Sequence, residues 1–341
     1  MRGIAAIFVL IFHTSSYWSG FTFYHSYLAV DMFFLLSGFV IGHAYEEKLA
    51  RGSISTKEFV LIRLVRLYPM YFIAGLFALV VSLLKYYIDQ SESSSYLTSL
   101  ISSYVLMVFF LPSSLAGGIY FFPLNGPCWS IFYELIINFI YAFFRLTLNN
   151  KTILSIIFVL ACLMVGLAFL HGKLDAGNTW RYTSIAAGLT RSGFGVFLGI
   201  YLNRQGKNSY SSLTLPSWTV IILMSLAFMM PDLKSINGLF DLCAVFFIFP
   251  FCVVVAARCK SGEITNSIFK LLGQASYPVY LLHVPISSLF YTLGFGLIIE
   301  KYAPLSGISL IIFLIYFSVQ LEKTYDLPIR KYLSSRLIKK V

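Results

Sequence analysis

The sequence predicts an all-α, polytopic transmembrane helical bundle, and three observations carry that expectation. Of 341 residues, 58% are hydrophobic and 11% are charged; a soluble domain averages about 25% charged. Apolar runs of about 16 to 22 residues follow one another along the chain. The runs are continuous and do not alternate over about 10 residues, so they read as helices that satisfy their own backbone, not as barrel strands.

The first run, 3–20, has one basic residue before an apolar stretch and no clear small-x-small cleavage site, so it reads as a retained helix. Further apolar segments fall at 28–45, 68–88, 98–111, 129–145, 152–170, 182–203, 216–231, 238–257, 273–295 and 303–322. Segment 98–111 is short for a span, and Pro112 and Gly117-Gly118 follow it. Treating 98–128 as a re-entrant or interfacial segment leaves about ten spans and places both termini in the cytoplasm.

Charge favours that arrangement. It puts 19 of the 25 basic residues inside: Arg2, Lys48, Arg51, Lys57, Arg63, Arg66, Arg145, Lys151, Arg204, Lys207, Arg258, Lys260, Lys270, Lys323, Arg330, Lys331, Arg336, Lys339 and Lys340. Lys173, Arg181, Lys234 and Lys301 fall outside, and Lys85 and Arg191 fall within spans. This follows the positive-inside rule, and eleven spans would put the basic C-terminus outside. The expectation is one integral domain over 1–341 in a cytoplasmic (inner) membrane.

Topology and contact with anionic membrane lipid account for the net charge of +11, so no nucleic-acid partner is implied. Cys128, Cys162, Cys243, Cys252 and Cys259 show neither CxxC nor metal-ligand spacing. Ser91-Glu92-Ser93-Ser94-Ser95 reads as a short polar loop.

Arg2 and His13 lie eleven residues apart in the first run, about 16 Å of helical rise. An arginine at the inner edge therefore sets the histidine near the middle of a hydrocarbon layer about 30 Å thick, where an ionisable group marks a functional site. Counting rise from each segment edge brings Ser37, Arg191 and His283 to the same level, with Glu134 nearer the outer face and Asp31 nearer still. His13 reads either as a general base for an attacking hydroxyl or as a packing histidine bonded to a carbonyl. Arg191 either binds a phosphate or pairs with Glu134. His283 either contacts substrate or makes a structural hydrogen bond. Arg63 and Arg66 share one helix face at the inner interface. Two guanidinium forks suit nucleotide phosphates; an ordinary positive-inside cluster is the alternative. The sequence has no dinucleotide-binding or P-loop glycine pattern and no GxSxG. Ser37-Gly38 is a weak nucleophile signal and a reasonable one for close helix packing.

Taken together, ordered fragments resemble the acyltransferase-3 family of integral membrane acyltransferases. They are Arg2-Gly3-x-Ala5-Ala6 with His13, then Val30-Asp31-Met32-Phe33-Phe34-Leu35-Leu36-Ser37-Gly38-Phe39, and Arg63-Leu64-Val65-Arg66-Leu67-Tyr68-Pro69. Trp129-Ser130-Ile131-Phe132-Tyr133-Glu134 and Arg191 with Gly193-Phe194-Gly195-Val196-Phe197-Leu198-Gly199 follow. Ser276-Tyr277-Pro278-Val279-Tyr280-Leu281-Leu282-His283-Val284-Pro285 and Glu322 with Pro328 and Arg330 close the series, which covers nearly the whole chain.

The resemblance implies transfer of an acyl group, usually acetyl, from cytoplasmic acyl-CoA to a hydroxyl of a carbohydrate. The usual acceptors are surface polysaccharides, lipid-linked glycans or small glycosylated molecules. It implies that His13 is the catalytic base, partnered by Arg2, and that Arg63 and Arg66 serve the acyl-CoA side. Acetyl-CoA is then a donor substrate, with no bound cofactor and no metal. Ser37, Tyr277 or Arg191 would stabilise an oxyanion, and Asp31, Glu134 and His283 would support the site. Only Met1 precedes Arg2, which fits an N-terminus either incomplete or simply short. No extra esterase-like segment is recognisable after the last apolar run, so the expectation is direct delivery of the acyl group or action with a separate protein. The rival classes are a transporter or flippase of a lipid-linked or small anionic substrate, since intramembrane Arg and His suit that role too, and a multi-span glycan polymerase.

Overall fold

A computed structural model describes residues 1–89, 93–116, 118–206, 216–259 and 262–338. Lys207, Lys260, Lys339, Lys340, the Ser91-Glu92 pair and Gly117, all used in the sequence reading, lie outside the described residues. Among the described residues the chain is helical and has no strand.

The helices run α1 (Arg2–His13), α2 (Ala29–Ala44), α3 (Glu46–Ala50), α4 (Thr56–Asp89), α5 (Ser94–Val108), α6 (Cys128–Phe144), α7 (Asn150–His171) and α8 (Tyr182–Gly206). They continue with α9 (Ser217–Met229), α10 (Asn237–Cys243), α11 (Phe249–Ala256), α12 (Glu263–Thr292), α13 (Gly296–Lys301), α14 (Leu305–Leu321) and α15 (Leu327–Leu337). A π turn at Ala244–Ile248 joins α10 to α11, and another at Glu322–Asp326 joins α14 to α15.

Six of the described helices are long and apolar enough to cross a membrane: Tyr24–Ala44, Thr56–Asp89, Asn150–His171, Tyr182–Gly206, Lys234–Ala256 and Leu305–Leu337. Arg2–His13, Ser94–Val108, Cys128–Phe144 and Ser217–Met229 are apolar but only 10–17 residues long, below the ~20 that span a bilayer unaided. Local chemistry explains the difference from about ten full spans. α1 stops at His13, short of residue 20, because the chain enters a 3₁₀ turn at Ser15–Trp18 and Ser19 adopts a left-handed conformation. α4 starts twelve residues before the expected 68. Ser55 and Glu58 form a capping box there, with Ser55 N–H donating to Glu58 Oε2 at 2.8 Å and Glu58 N–H donating to Ser55 Oγ at 3.1 Å. The helix then runs on through Pro69, so Arg63 and Arg66 belong to the same rod as the apolar segment after them.

Close backbone packing sets the centre of the bundle. α2 lies along α8 with Gly38 against the Val196 carbonyl and Gly199 against the Leu35 carbonyl; a Cβ at either glycine would collide with that oxygen. Small residues at a helix interface permit such an approach. α1 lies against α12, with Gly3 seated on Leu272.

At the His13 end, two loops cover the bundle. Phe121 N–H donates to Asn178 O at 2.9 Å and Trp180 N–H to Ile119 O at 3.0 Å, which ties loop 109–127 to loop 172–181. A buried polar knot anchors the second loop. Asp241 accepts from Tyr27 Oη at 2.8 Å and from Leu174 N–H at 2.8 Å, and His25 Nδ1 lies 2.9 Å from its Oδ1. A buried carboxylate so fully bonded holds position and offers little to a ligand.

Candidate active site

α1 delivers His13 to a cavity of about 350 Å³, walled also by Tyr27, Trp129, Asn178, Arg191 and Tyr280. The His13 side chain is exposed, and its ring makes no hydrogen bond among the described residues. The neighbour that meets it is His283 on α12, with ring centroids 5.3 Å apart. His283 is fully buried, its Nδ1 lies 3.1 Å from the Val279 carbonyl, and its Nε2 has no partner. The carbonyl can only accept, so Nδ1 carries the proton and Nε2 is an acceptor. Asp175, on the cavity wall, holds Lys173 Nζ at 3.0 Å. Partial burial opposes the Lys173 charge, but Asp175, with Tyr24 and Asp241, leaves the lysine pKa above its ordinary value.

Arg191 reaches the same cavity with its hydrogen-bonding capacity committed elsewhere. Nε and Nη2 grip Asp31 at 2.9 and 2.6 Å, Nη1 donates to Ala176 O at 2.6 Å, and Nη2 reaches Tyr27 O at 3.4 Å. Its carboxylate partner is Asp31 and not Glu134, the pairing that stood beside phosphate binding as an alternative. The bidentate pair and the Ala176 contact leave no free fork for a phosphate.

Glu134 belongs to a second cluster deeper along the bundle. Arg63 Nη2 lies 2.5 Å and Ser37 Oγ 2.6 Å from Glu134 Oε1, with Arg63 Nη2 3.3 Å from Ser37 Oγ. Ser37 is therefore remote from His13 in bonding, though level with it in the depth count. Axial rise gives height and not the direction a side chain faces. Arg2, Ser130, Glu134, Tyr277 and Tyr280 line an adjacent crevice of about 30 Å³. Arg2 and His13 do not meet, because α1 holds them about 16 Å apart along its axis. The buried Nε atoms of Arg2 and Arg63 have no partner. Tyr277 donates its hydroxyl to the Leu67 carbonyl at 2.9 Å, so that proton is not free for an oxyanion.

Arg63 and Arg66 part company. Arg63 is buried at 8% exposure and ion-paired, whereas Arg66 is exposed. Arg66 lines an open groove of about 580 Å³ with Tyr45, Arg330, Lys331 and Ser334. Arg330 is held by Asp326 at 2.6 Å and Glu322 at 3.4 Å; Arg66 and Lys331 have no ion-pair partner among the described residues.

The family model described as an acyltransferase domain matches residues 1–321. The chain belongs to the acyltransferase-3 family. Of the classes the residues left open, this gives the enzyme: the protein is a membrane-embedded acyltransferase. The acyltransferase is also 36% identical over 152 residues to "Protein 2 in picA locus" of Rhizobium radiobacter, an alignment covering 42% of this chain and 78% of that protein. No solved structure matches it. Among the described residues no group of three or more His, Cys, Asp or Glu side chains is placed to hold a metal ion.

Sequence reasoning missed several residues of the candidate site. Tyr280 lies in the quoted late fragment, three residues before His283, and that spacing was its signal. Asn178 and Asp175 come from a loop between apolar segments, where periodicity carries no information. Trp129 was quoted but given no role; it lies under the Arg191 guanidinium, with Cζ 5.6 Å from its ring.

Proposed function

We propose that this acyltransferase moves an acetyl group from cytoplasmic acetyl-CoA to a hydroxyl of a carbohydrate or lipid-linked glycan, with His13 as general base. One observation carries the reading: an unbonded imidazole, paired with a second imidazole, opens on a cavity large enough for a sugar unit. In this reading about ten segments cross or enter the inner membrane, with both termini cytoplasmic, so that the Arg66 groove faces the cytoplasm and the His13 cavity faces the opposite side. The short helices α1, α6 and α9 then lie within the thickness of the bundle.

The chemistry follows from the bonding. CoA phosphates would dock on Arg66 and Lys331, the cations left free, with Arg330 held beside them. Neutral His13 takes the proton of the acceptor hydroxyl as its oxygen attacks the thioester carbonyl. The carbon–sulfur bond breaks, the ester forms, and the CoA thiolate leaves with the proton that His13 held. His283, with Nδ1–H committed to Val279, orients His13. Arg2 and the Arg63–Glu134–Ser37 cluster flank the route between groove and cavity.

The test is turnover. Purified protein in nanodiscs is supplied with [acetyl-¹⁴C]acetyl-CoA and a glycolipid extract of its host. The expected result is label in the glycan fraction with one equivalent of free CoA thiol per acetyl moved. Movement of an intact substrate with no thiol released would sink the proposal.

A further inference from the structure

Tyr280 stands in both compartments. Among the described residues it is the only side chain on the walls of both the His13 cavity and the Arg2 crevice. It is 5% exposed. Its hydroxyl is 2.7 Å from Ser130 Oγ and 3.1 Å from the Pro127 carbonyl, so one end of the ring is tied to the start of α6. Its ring stands edge-on to Phe33 at 5.3 Å and lies 6.1 Å from His283.

On α12, Tyr277, Tyr280 and His283 follow at three-residue spacing, about 4.5 Å of rise per step. Tyr280 is thus one step from the crevice residue and one step from the imidazole. The crevice below it is about 30 Å³, room for two or three waters at about 10–15 Å³ each in the same measure. An acetyl thioester does not fit there while the Tyr280 ring is in place. The cavity above is more than tenfold larger.

Resting on the donor and acceptor sides proposed above, we infer that Tyr280 is the closure between the two compartments, and that the opening it leaves when displaced selects short acyl groups. Its ring blocks the route from the arginine side to His13, and the bonds to Ser130 and Pro127 keep it there. Both bonds lie at the tip of the side chain, so a swing of the side chain about its Cα–Cβ bond breaks them together. The same closure keeps water on the cavity side from reaching a thioester before an acceptor is bound, a recognised use of active-site closure. A ring that merely packs between helices would have neither effect.

Two measurements test it. In the first, His13→Cys is labelled with a membrane-impermeant cationic methanethiosulfonate in right-side-out and inverted vesicles, and modification at residue 13 is read by peptide mass spectrometry. The expected result is labelling from the cavity side only, becoming two-sided when Tyr280→Ala is added. One-sided labelling in the double variant, or two-sided labelling without Tyr280→Ala, overturns the proposal. In the second, acetyl-CoA and butyryl-CoA consumption are compared in Tyr280→Ala and Tyr280→Phe. Two methylenes in a fitted passage discriminate by roughly tenfold or more, so the butyryl-to-acetyl ratio of kcat/KM should rise by about that factor in Tyr280→Ala. Acceptor-independent hydrolysis should rise with it. Tyr280→Phe keeps the ring and should keep the ratio while hydrolysis rises less. Unchanged ratios in both variants make Tyr280 a packing residue. If Tyr280→Ala gives little folded protein, Tyr280→Leu takes its place. If no variant and no wild-type sample consumes a thioester while labelling still becomes two-sided, the passage stands and the acyl-CoA reading falls.

Discussion

In the cavity on the His13 side, two imidazoles approach to 5.3 Å, and no carboxylate among the described residues is bonded to either. Beside the Arg2 crevice, Arg63, Ser37 and Glu134 close on one another with every contact at 3.3 Å or less. The first region leaves proton-handling groups unsatisfied and gives them about 350 Å³ of space. The second pairs Arg63 with Glu134, although the Nε atoms of Arg2 and Arg63 stay unpartnered, and leaves about 30 Å³. In the proposed mechanism, bonding therefore separates the groups assigned to chemistry from those that hold helices, and depth in the bundle does not. By that criterion Arg191 sits on the wall of the first region yet belongs with the second.

The strongest way to break this division is His13→Gln. It keeps size and one hydrogen bond but cannot take the proton. A positioned general base contributes about 10² to 10⁴-fold, so transfer should fall by that range while acetyl-CoA binding by calorimetry is retained. Wild-type turnover should rise with pH through one apparent pKa, because the neutral imidazole is the base, and this rise should be absent in the variant. Near wild-type transfer by His13→Gln would return that residue to a packing role. His283→Gln sharpens the same point: it should retain more activity than His13→Gln if it only orients its neighbour.

Next in size come the paired charges. Arg191→Ala leaves Asp31 buried and unpaired, and removing one member of a buried pair costs about 3–5 kcal/mol. Membrane abundance and thermal stability should drop together, with the loss far smaller in Arg191→Ala/Asp31→Ala. Arg63→Ala should behave likewise through Glu134. Equal abundance of all four proteins would show that these pairs are not structural.

The smallest expected effect is on the groove. Arg66→Ala should leave stability unchanged and raise KM for acetyl-CoA roughly tenfold or more, since a charge-assisted contact is worth about 1.5–3 kcal/mol. Arg66→Lys should recover part of this, a point charge replacing a fork. A KM change in Arg63→Ala at normal abundance, with none in Arg66→Ala, would invert the division between the two arginines.

Much of the fold was legible because apolar runs and the Arg2–His13 spacing are linear signals. The depth count placed His13 and His283 at one level, and they touch. It failed for Ser37 and for the Arg191 partner, because rise along a helix carries no azimuth. Asp31 and Glu134 lie on different helices, and which one faces Arg191 depends on how α2, α6 and α8 rotate about one another. Segment bounds moved where local chemistry outweighed hydropathy, at the 3₁₀ turn after His13 and the capping box before α4. Tyr277 was read from its type as an oxyanion donor, but its partner is a main-chain carbonyl, which no side-chain pattern encodes. The cavity wall from loop 172–181 was invisible for the same reason: main-chain bonds and the Asp241 knot fix it.

The pairing of Asp31 with Arg191 also has a consequence for biosynthesis. The two residues are 160 positions apart, and at about 5–20 residues per second α8 emerges from the ribosome about 8 to 30 s after α2. Through that interval Asp31 has no guanidinium to neutralise it, and a lone carboxylate in hydrocarbon is strongly disfavoured. α2 alone is therefore expected to insert less readily than α2 and α8 together, and a crosslink between Gly38 and Val196 positions during synthesis would report the pairing.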